Sequence, residues 1–462
     1  MARHFFAALV RNTISLIGTA LAVASLTLFI TLFVVQSLGL EGGAYLGIFT
    51  FVLLPLLFVT GLILIPIGIH RENKRLAGQT GSKSHFPVFD LNMEKTRKGL
   101  IIFVALTLFN IVVLAAATFE AVEVMDSTPF CGTVCHTVMQ PEYTAHQRSP
   151  HARVDCADCH IGPGAQWFVK AKISGSWQLI AVALDLYPTP IPTPIHNLRP
   201  ARETCEQCHW PTNHVGDLLK VKSVYKQDEA NSEYETAVLL KVGGVAGREY
   251  SGIHWHVSRD VQIRYRSDEK REKIYSLEMT APDGTVTVYA SSEEAPEDAN
   301  HVRVMDCVDC HNRPTHRYDL PGAGIDAAMS AGLIDKTLPF IKREGLRVLG
   351  ASYDSHEQAR AQIEQDITSF YREQFPGIAS EKTEQVAAAA AELGHIYSVN
   401  VFPAMKVEWG TYPDHSGHDG CFRCHGRLKT AEGKRVSREC GLCHTVLAWE
   451  EQDPEILKTL KP

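Results

Sequence analysis

Twelve cysteines fall into six pairs, and the second member of every pair is followed by histidine. They read Cys131-Gly-Thr-Val-Cys135-His136, Cys156-Ala-Asp-Cys159-His160, Cys205-Glu-Gln-Cys208-His209, Cys307-Val-Asp-Cys310-His311, Cys421-Phe-Arg-Cys424-His425 and Cys440-Gly-Leu-Cys443-His444. Five have the C-x-x-C-H spacing; the first has one extra residue. Two thiols so spaced form thioethers with two vinyl groups on one porphyrin edge, and the next residue turns its imidazole onto the iron, as in c-type haem. Zinc ribbons also use Cys-x-x-Cys pairs, but tetrahedral zinc does not require histidine at the following position. At 21 histidines in 462 residues, six such histidines would arise by chance on the order of once in a hundred million. Disulfides would need cysteines that are not left over. The reading is six covalently bound haem c groups, with the twelve cysteines as attachment points. His136, His160, His209, His311, His425 and His444 are then the proximal axial ligands.

An electron-transfer haem normally takes a second axial ligand, histidine or methionine. Twelve further histidines follow residue 121, twice the number needed, which favours mostly bis-histidine irons and electron relay over an open catalytic site. The candidate distal ligands are Met139, His146, His151, His196, His256, His316, His415 and His418, with one ligand expected from the pair His415 and His418. His254 and His256 flank Trp255 in a segment that reads as a strand, so both are expected on one face, with one of them a ligand and His256 preferred. His214, His301, His356 and His395 read as surface or packing residues. Met139 either ligates the first iron or packs against its porphyrin.

The elements that must position these groups divide sharply. Residues 13–40, 42–69 and 99–119 contain no Asp, Glu, Lys or Arg, and each is long enough to cross a bilayer. Transmembrane helices are expected at about 13–38, 45–69 and 99–119. The first run is nearly twice the length of a signal-peptide core, so it reads as a retained span. Seven basic residues lie between His70 and Lys98, and an acidic stretch (Glu120, Glu123, Asp126) follows the third run. By the positive-inside rule the N-terminus is cytoplasmic and residues 121–462 lie outside, where c-type haem is attached. The expected location is the bacterial inner (cytoplasmic) membrane, multi-pass, with a periplasmic haem domain. Neither a wholly soluble enzyme nor a disordered chain fits, and a net charge of −7 gives no reason to expect nucleic acid as a partner.

The fold class expected is a membrane-anchored multihaem cytochrome, with three N-terminal transmembrane helices and a mostly α-helical and irregular haem domain carrying a β-rich insertion. Residues 1–120 form the anchor, 121–219 a module for haems one to three, 220–305 the insertion and 306–462 a module for haems four to six. In the first module, prolines 188, 190, 192 and 194 predict an extended strut. In the insertion, Val261–Tyr265 and Thr285–Tyr289 alternate as strands around Pro282-Asp-Gly284. Residues 323–397 read as helical, with the alanine run 387–391 closed by Gly394.

The stretches Cys131 to Gly164, Trp167 to Lys172, Leu198 to Pro211, Cys307 to His316 and Gly420 to His425 resemble the NapC/NirT family of membrane-anchored, quinol-oxidising multihaem cytochromes. The resemblance is strongest to the larger inner-membrane cytochromes of metal-respiring bacteria. It implies a quinol site where the anchor meets the first haem, with a lysine after the second motif contributing. Lys172 matches best and Lys170 is the second choice; the alternative is that both contact lipid headgroups or haem propionates. An acidic residue near the first iron is also implied, with Asp185 or Glu142 as candidates. Three spans, the longer first motif and the insertion depart from the family's short members.

The expected function follows from the two readings together. Electrons pass from menaquinol or ubiquinol through six haems to periplasmic acceptors in anaerobic or extracellular respiration, a quinol dehydrogenase activity. Expected partners are the membrane, the quinol pool, and periplasmic c-type cytochromes or a terminal reductase. The alternatives are a catalytic reductase for nitrite or a sulfur oxyanion, which needs an open iron, and a dedicated donor subunit of a separate reductase.

Overall fold

The computed structural model describes residues 12–37, 49–80, 91–134, 136–162, 164–195, 198–210, 216–243, 252–297, 299 and 301–460. The chain divides into two units, Met1–Val134 and Cys135–Pro462. His196, His214, Cys135 and the start of the second expected span lie outside the described residues.

The first unit is built on α1 (Thr13–Ser37), α2 (Leu54–Thr80) and α3 (Glu94–Asp126). Each holds a stretch long and apolar enough to cross a membrane. In lipid the hydrophobic effect does not drive helices together, so close packing must. A Cβ on Gly18 would lie 2.8 Å from the Gly61 carbonyl, and one on Gly61 would lie 2.6 Å from the Gly18 carbonyl. The two backbones therefore touch. The Ser15 hydroxyl donates to the Ile65 carbonyl at 3.0 Å, beside Pro66. Phe29, Leu54, Ala117 and Ala121 bury the seam shared with α3. That helix outruns the span expected from composition: Glu120, Glu123 and Asp126 lie on its last turns rather than beyond it. Nothing in the sequence interrupts helix propensity until Ser127-Thr-Pro129, where Ser127 caps the short α4 (Thr128–Thr133).

The second unit opens with α5 (His136–Gln147), α6 (Cys156–His160), α7 (Ala165–Ala183) and α8 (Ala201–Cys205). The proline segment between α7 and α8 is neither helix nor strand. It is pinned where the Tyr412 hydroxyl donates to the Ile191 carbonyl and Arg313 to the Thr193 hydroxyl, each at 3.0 Å. Strands β1 (Leu218–Tyr225) and β2 (Glu233–Leu240) pair antiparallel, and β3 (Gln262–Ser267), β4 (Ile274–Thr280), β5 (Val286–Ala290) and β6 (His301–Val304) form a second sheet in the order β5-β4-β3-β6. The strand-rich stretch is not closed on itself. Strand β7 (His444–Glu451), which directly follows the last motif, completes the first sheet beside β2.

Helices α9 (Pro321–Ser330), α10 (Ile341–Leu349), α11 (His356–Gln374), α12 (Pro376–Glu381) and α13 (Thr383–Asn400) follow. Ile325, Ile341, Leu349, Ile363, Ile367 and Leu393 are fully buried among them. Gly394 does not end the alanine-rich helix; it lies inside α13, against Arg360 of α11. A buried ion pair joins α9 to α10, Lys342 to Asp326 at 2.6 Å, and the same carboxylate accepts from the Tyr225 N–H of β1 at 3.0 Å. The helical layer thereby fixes the edge of the first sheet. Short α14 (His418–Cys421) and α15 (Glu455–Leu460) complete the chain.

Candidate functional site

The second to sixth motifs each contain a single helical turn. α6 is the second motif entire, α8 ends on Cys205, α14 ends on Cys421, and 3₁₀ turns begin at Cys307 and Cys440. In the third, fourth and fifth motifs the histidine N–H donates to the carbonyl of the first cysteine, at 2.8, 2.9 and 3.1 Å. A residue four positions on returns to the same helix face, so each turn sets both sulfurs and the imidazole on one side. The first motif begins in α4 with Cys131 and continues into α5 at His136.

Among the described residues, four motif imidazoles face an imidazole from elsewhere in the chain. Ring centroids lie 6.2 Å apart for His160 and His316, 5.8 Å for His209 and His151, 5.9 Å for His425 and His256, and 5.9 Å for His444 and His418. A metal–imidazole bond of about 2 Å on each side sets two such rings about 6 Å apart. For His151 and His209 the facing atoms are both Nε2, 3.5 Å apart. Nδ1 points the other way: it donates to the carbonyls of Glu142 from His316 (3.1 Å), of Pro314 from His151 (3.4 Å), of Ile253 from His256 (2.8 Å) and of Ser437 from His425 (2.5 Å). This is the outer hydrogen bond that fixes tautomer and ring orientation in metal-ligating histidines. Burial, together with His316, holds His160 down at about 4, and burial brings His316 to about 4 and lowers His256. These rings are therefore neutral near pH 7, the form that binds metal. The donor set fits a haem iron.

The alternation read at His254-Trp255-His256 is corrected. Gly252–Val257 is a 3₁₀ turn, not a strand, so the two histidines do not share a face. Gly252 has φ +61°, and a Cβ there would fall 2.0 Å from the Lys241 carbonyl, so the turn presses directly on the chain leaving β2. Of the pair His415 and His418, His418 faces a motif histidine; His415 is buried, its N–H donating to the Asn312 side chain at 2.8 Å. His146 is also buried, and its Nε2 donates to the Val154 carbonyl at 2.9 Å. Met139 is half-buried on α5.

Lys170 and Lys172 sit near the start of α7, their ammonium groups over the rings of Trp167 and Phe168 at 4.8 and 4.9 Å. Asp185 lies beyond the other end of that helix, about 20 Å along its axis at 1.5 Å per residue. Glu142 is half-buried beside His316, and desolvation raises its carboxyl above the usual range. It therefore abuts the partner of the second motif's histidine. The described pairs hold neither lysine nor Asp185.

The second to sixth motifs follow one another in space. Burial first, then nearby groups that include Cys208 of the third motif, raise the Cys159 thiol, and the Cys205 thiol hydrogen-bonds Cys307. Burial and then Cys421 push Cys310 up to about 11, and Cys421 in turn is raised by burial and by Cys443. The charged residues between the cysteines, unread in the sequence, stitch neighbouring motifs together. Asp309 of the fourth motif is buried, accepting from the Tyr265 hydroxyl and from Arg303 at 3.3 Å, and Arg423 of the fifth donates to the Asp309 carbonyl. A charge at an internal position of an exposed-looking motif was the available signal.

Residues 93–191 match the NapC/NirT cytochrome c family, N-terminal region. The chain is 40% identical over 456 residues to the cytochrome c-type protein ImcH of Geobacter sulfurreducens, covering 96% of this chain and 90% of that one. The chain belongs to the NapC/NirT cytochrome c family. As a cytochrome c of this family it carries covalently bound haem c, and its apolar helices give it the transmembrane character of an electron-transport protein. A 139-residue stretch is 25% identical to the crossover junction endodeoxyribonuclease RuvC of Mycolicibacterium vanbaalenii, covering 29% of this chain and 66% of that protein. A likeness of that extent carries no functional argument. No solved structure matches the chain.

Proposed function

We propose that the protein oxidises a quinol, menaquinol or ubiquinol, and delivers electrons through six c-type haems to a periplasmic cytochrome or terminal reductase. The observation that carries this reading is the set of four facing imidazole pairs. Irons closed on both sides favour relay over substrate chemistry, which weighs against a nitrite or sulfur-oxyanion reductase. Haem c, when bound, supplies a reversible one-electron carrier. The chain's own residues supply order, through second to sixth motifs that adjoin in sequence order, and ring orientation, through the Nδ1–carbonyl bonds.

The quinol end of the proposal is supported by α7. Val169, Ile173, Trp177, Ile180 and Leu184 are exposed at helical spacing, at 55, 69, 60, 49 and 63%. Such an apolar stripe with Trp on it and Lys170 and Lys172 at one end suits a helix lying in a membrane interface. An amphiphilic quinol would meet the lysines there, Lys172 first and Lys170 second. Cytoplasmic residence of the 70–98 loop, by its basic charge, sends the haem-bearing unit to the periplasmic side.

The test is reduction of the purified, detergent-solubilised protein by a menaquinol analogue, followed optically. Lys172→Ala should slow quinol-dependent reduction at least tenfold while leaving reduction by dithionite intact. An unchanged quinol rate would remove the lysine from the site. A ferric spectrum that shifts on adding nitrite would replace relay by catalysis.

A further inference from the structure

We propose that His254 is the sixth ligand of the iron held by His311, so that one 3₁₀ turn of the strand-rich segment closes two consecutive haems. The inference rests on the haem-bearing reading above and extends it to a motif with no facing ring among the four pairs.

Three observations converge on His254. First, it shares the turn Gly252–Val257 with His256, whose ring faces His425 of the fifth motif. The fourth and fifth motifs adjoin, because Arg423 of one donates to the Asp309 carbonyl of the other. Two residues apart on a 3₁₀ turn of three residues per turn, the side chains of His254 and His256 diverge by roughly 120°. A turn placed beside adjoining motifs can therefore direct one ring to each.

Second, the ring of His254 is oriented like a ligand. Its Nδ1 donates to the Val242 carbonyl at 2.7 Å, the same use of Nδ1 seen in His151, His256, His316 and His425. His146 and His356 are turned the opposite way, with Nε2 on the carbonyls of Val154 and Val401 at 2.9 and 2.6 Å. The residue before Val242 is itself held on both sides. The Ile253 N–H donates to the Lys241 carbonyl at 2.8 Å, and the Lys241 N–H donates to the Cys443 carbonyl at 2.9 Å.

Third, His160, His209, His425 and His444 each already face another ring, so the fourth motif, which adjoins the fifth, is the one beside this turn whose imidazole has no facing ring among the described pairs.

The experiment uses the full-length protein matured with haem, in detergent. Pyridine haemochrome analysis counts haems per chain, and electron paramagnetic resonance with near-infrared magnetic circular dichroism reads spin state and axial ligands. Six haems per chain are expected in the wild type; a lower count would overturn the haem-bearing reading itself. His254→Ala is expected to keep the count, convert one haem in six from low-spin to high-spin, and recover low spin with added imidazole. His254→Met is expected to stay low-spin and gain the sulfur–iron charge-transfer band of one His/Met haem. If the alanine variant fails to mature, the methionine variant decides. A wild-type spin state in His254→Ala, or no new sulfur–iron band in a mature His254→Met, overturns the assignment.

Discussion

The guanidinium of Arg423, between the cysteines of the fifth motif, donates to the main-chain carbonyl of Asp309, between the cysteines of the fourth. Its other nitrogens reach the carbonyls of Arg271 at 2.6 Å and Gly420 at 3.0 Å, and the residue is 8% exposed. One side chain thus binds two motifs to the β3–β4 hairpin. The spacing of these two motifs therefore rests on side chains that the attachment chemistry leaves free to vary.

Removing that clasp should be expensive. Arg423→Ala strips donors from three carbonyls, and each buried unsatisfied group costs about 1–3 kcal/mol. We expect a loss of about 3 kcal/mol or more. For a unit of this size that lowers Tm by roughly 4–5 °C, measured by thermal denaturation of the haem-loaded protein; a shift under 2 °C would show that the carbonyls find other donors.

The pair Lys342 and Asp326 is a second fixed point, with side chains only 5% and 10% exposed. Burial lowers the Lys342 ammonium and Asp326 opposes the shift. Asp326→Ala leaves a buried cation and an unpaired Tyr225 N–H, an expected cost of about 3–5 kcal/mol. Adding Lys342→Met should recover a substantial part, because an apolar pair needs no desolvation of charge. Chemical denaturation of the single and double variants measures the coupling, and additive losses would contradict it.

At the last motif, the two neighbouring histidines should behave differently. His418→Ala should give one high-spin haem, whereas His415→Ala should leave every spin state as it was and cost stability alone. Electron paramagnetic resonance distinguishes them, and the reverse pattern would reassign the ligand.

On α7 the exposed stripe predicts a directional effect. Ile173→Glu sets a charge in the middle of the face proposed to meet lipid and should lower quinol-dependent reduction about tenfold, with dithionite reduction and haem count unchanged. Gln178→Glu on the same helix, away from the stripe, should do neither.

What could be read in advance followed from how local the chemistry is. A thioether pair and its imidazole must occupy one turn, so the six motifs announce themselves in the chain, and uncharged runs announce the apolar helices. The partner imidazoles form contacts between distant residues, such as His160 with His316 and His425 with His256, so composition yields candidates without matching them. His254-Trp255-His256 misled because three alternating residues suit a strand and a 3₁₀ turn alike; Gly252, with its close approach to Lys241, decided for the turn. Gly394 misled because a glycine after an alanine run serves a helix end and a tight helix crossing equally. Strand β7 went unread beside the last motif, although Thr445, Val446 and Trp449 favour extended backbone.

His444 is the first residue of β7 and stands in register opposite Leu240. The final imidazole of the protein is thus held by a sheet ladder rather than hung from a loop, and a slip of a single residue would turn it to the opposite side of the sheet. Any refitting of this terminus, by evolution or by grafting, must conserve the hydrogen-bond phase of that strand before it can alter the surroundings of that imidazole.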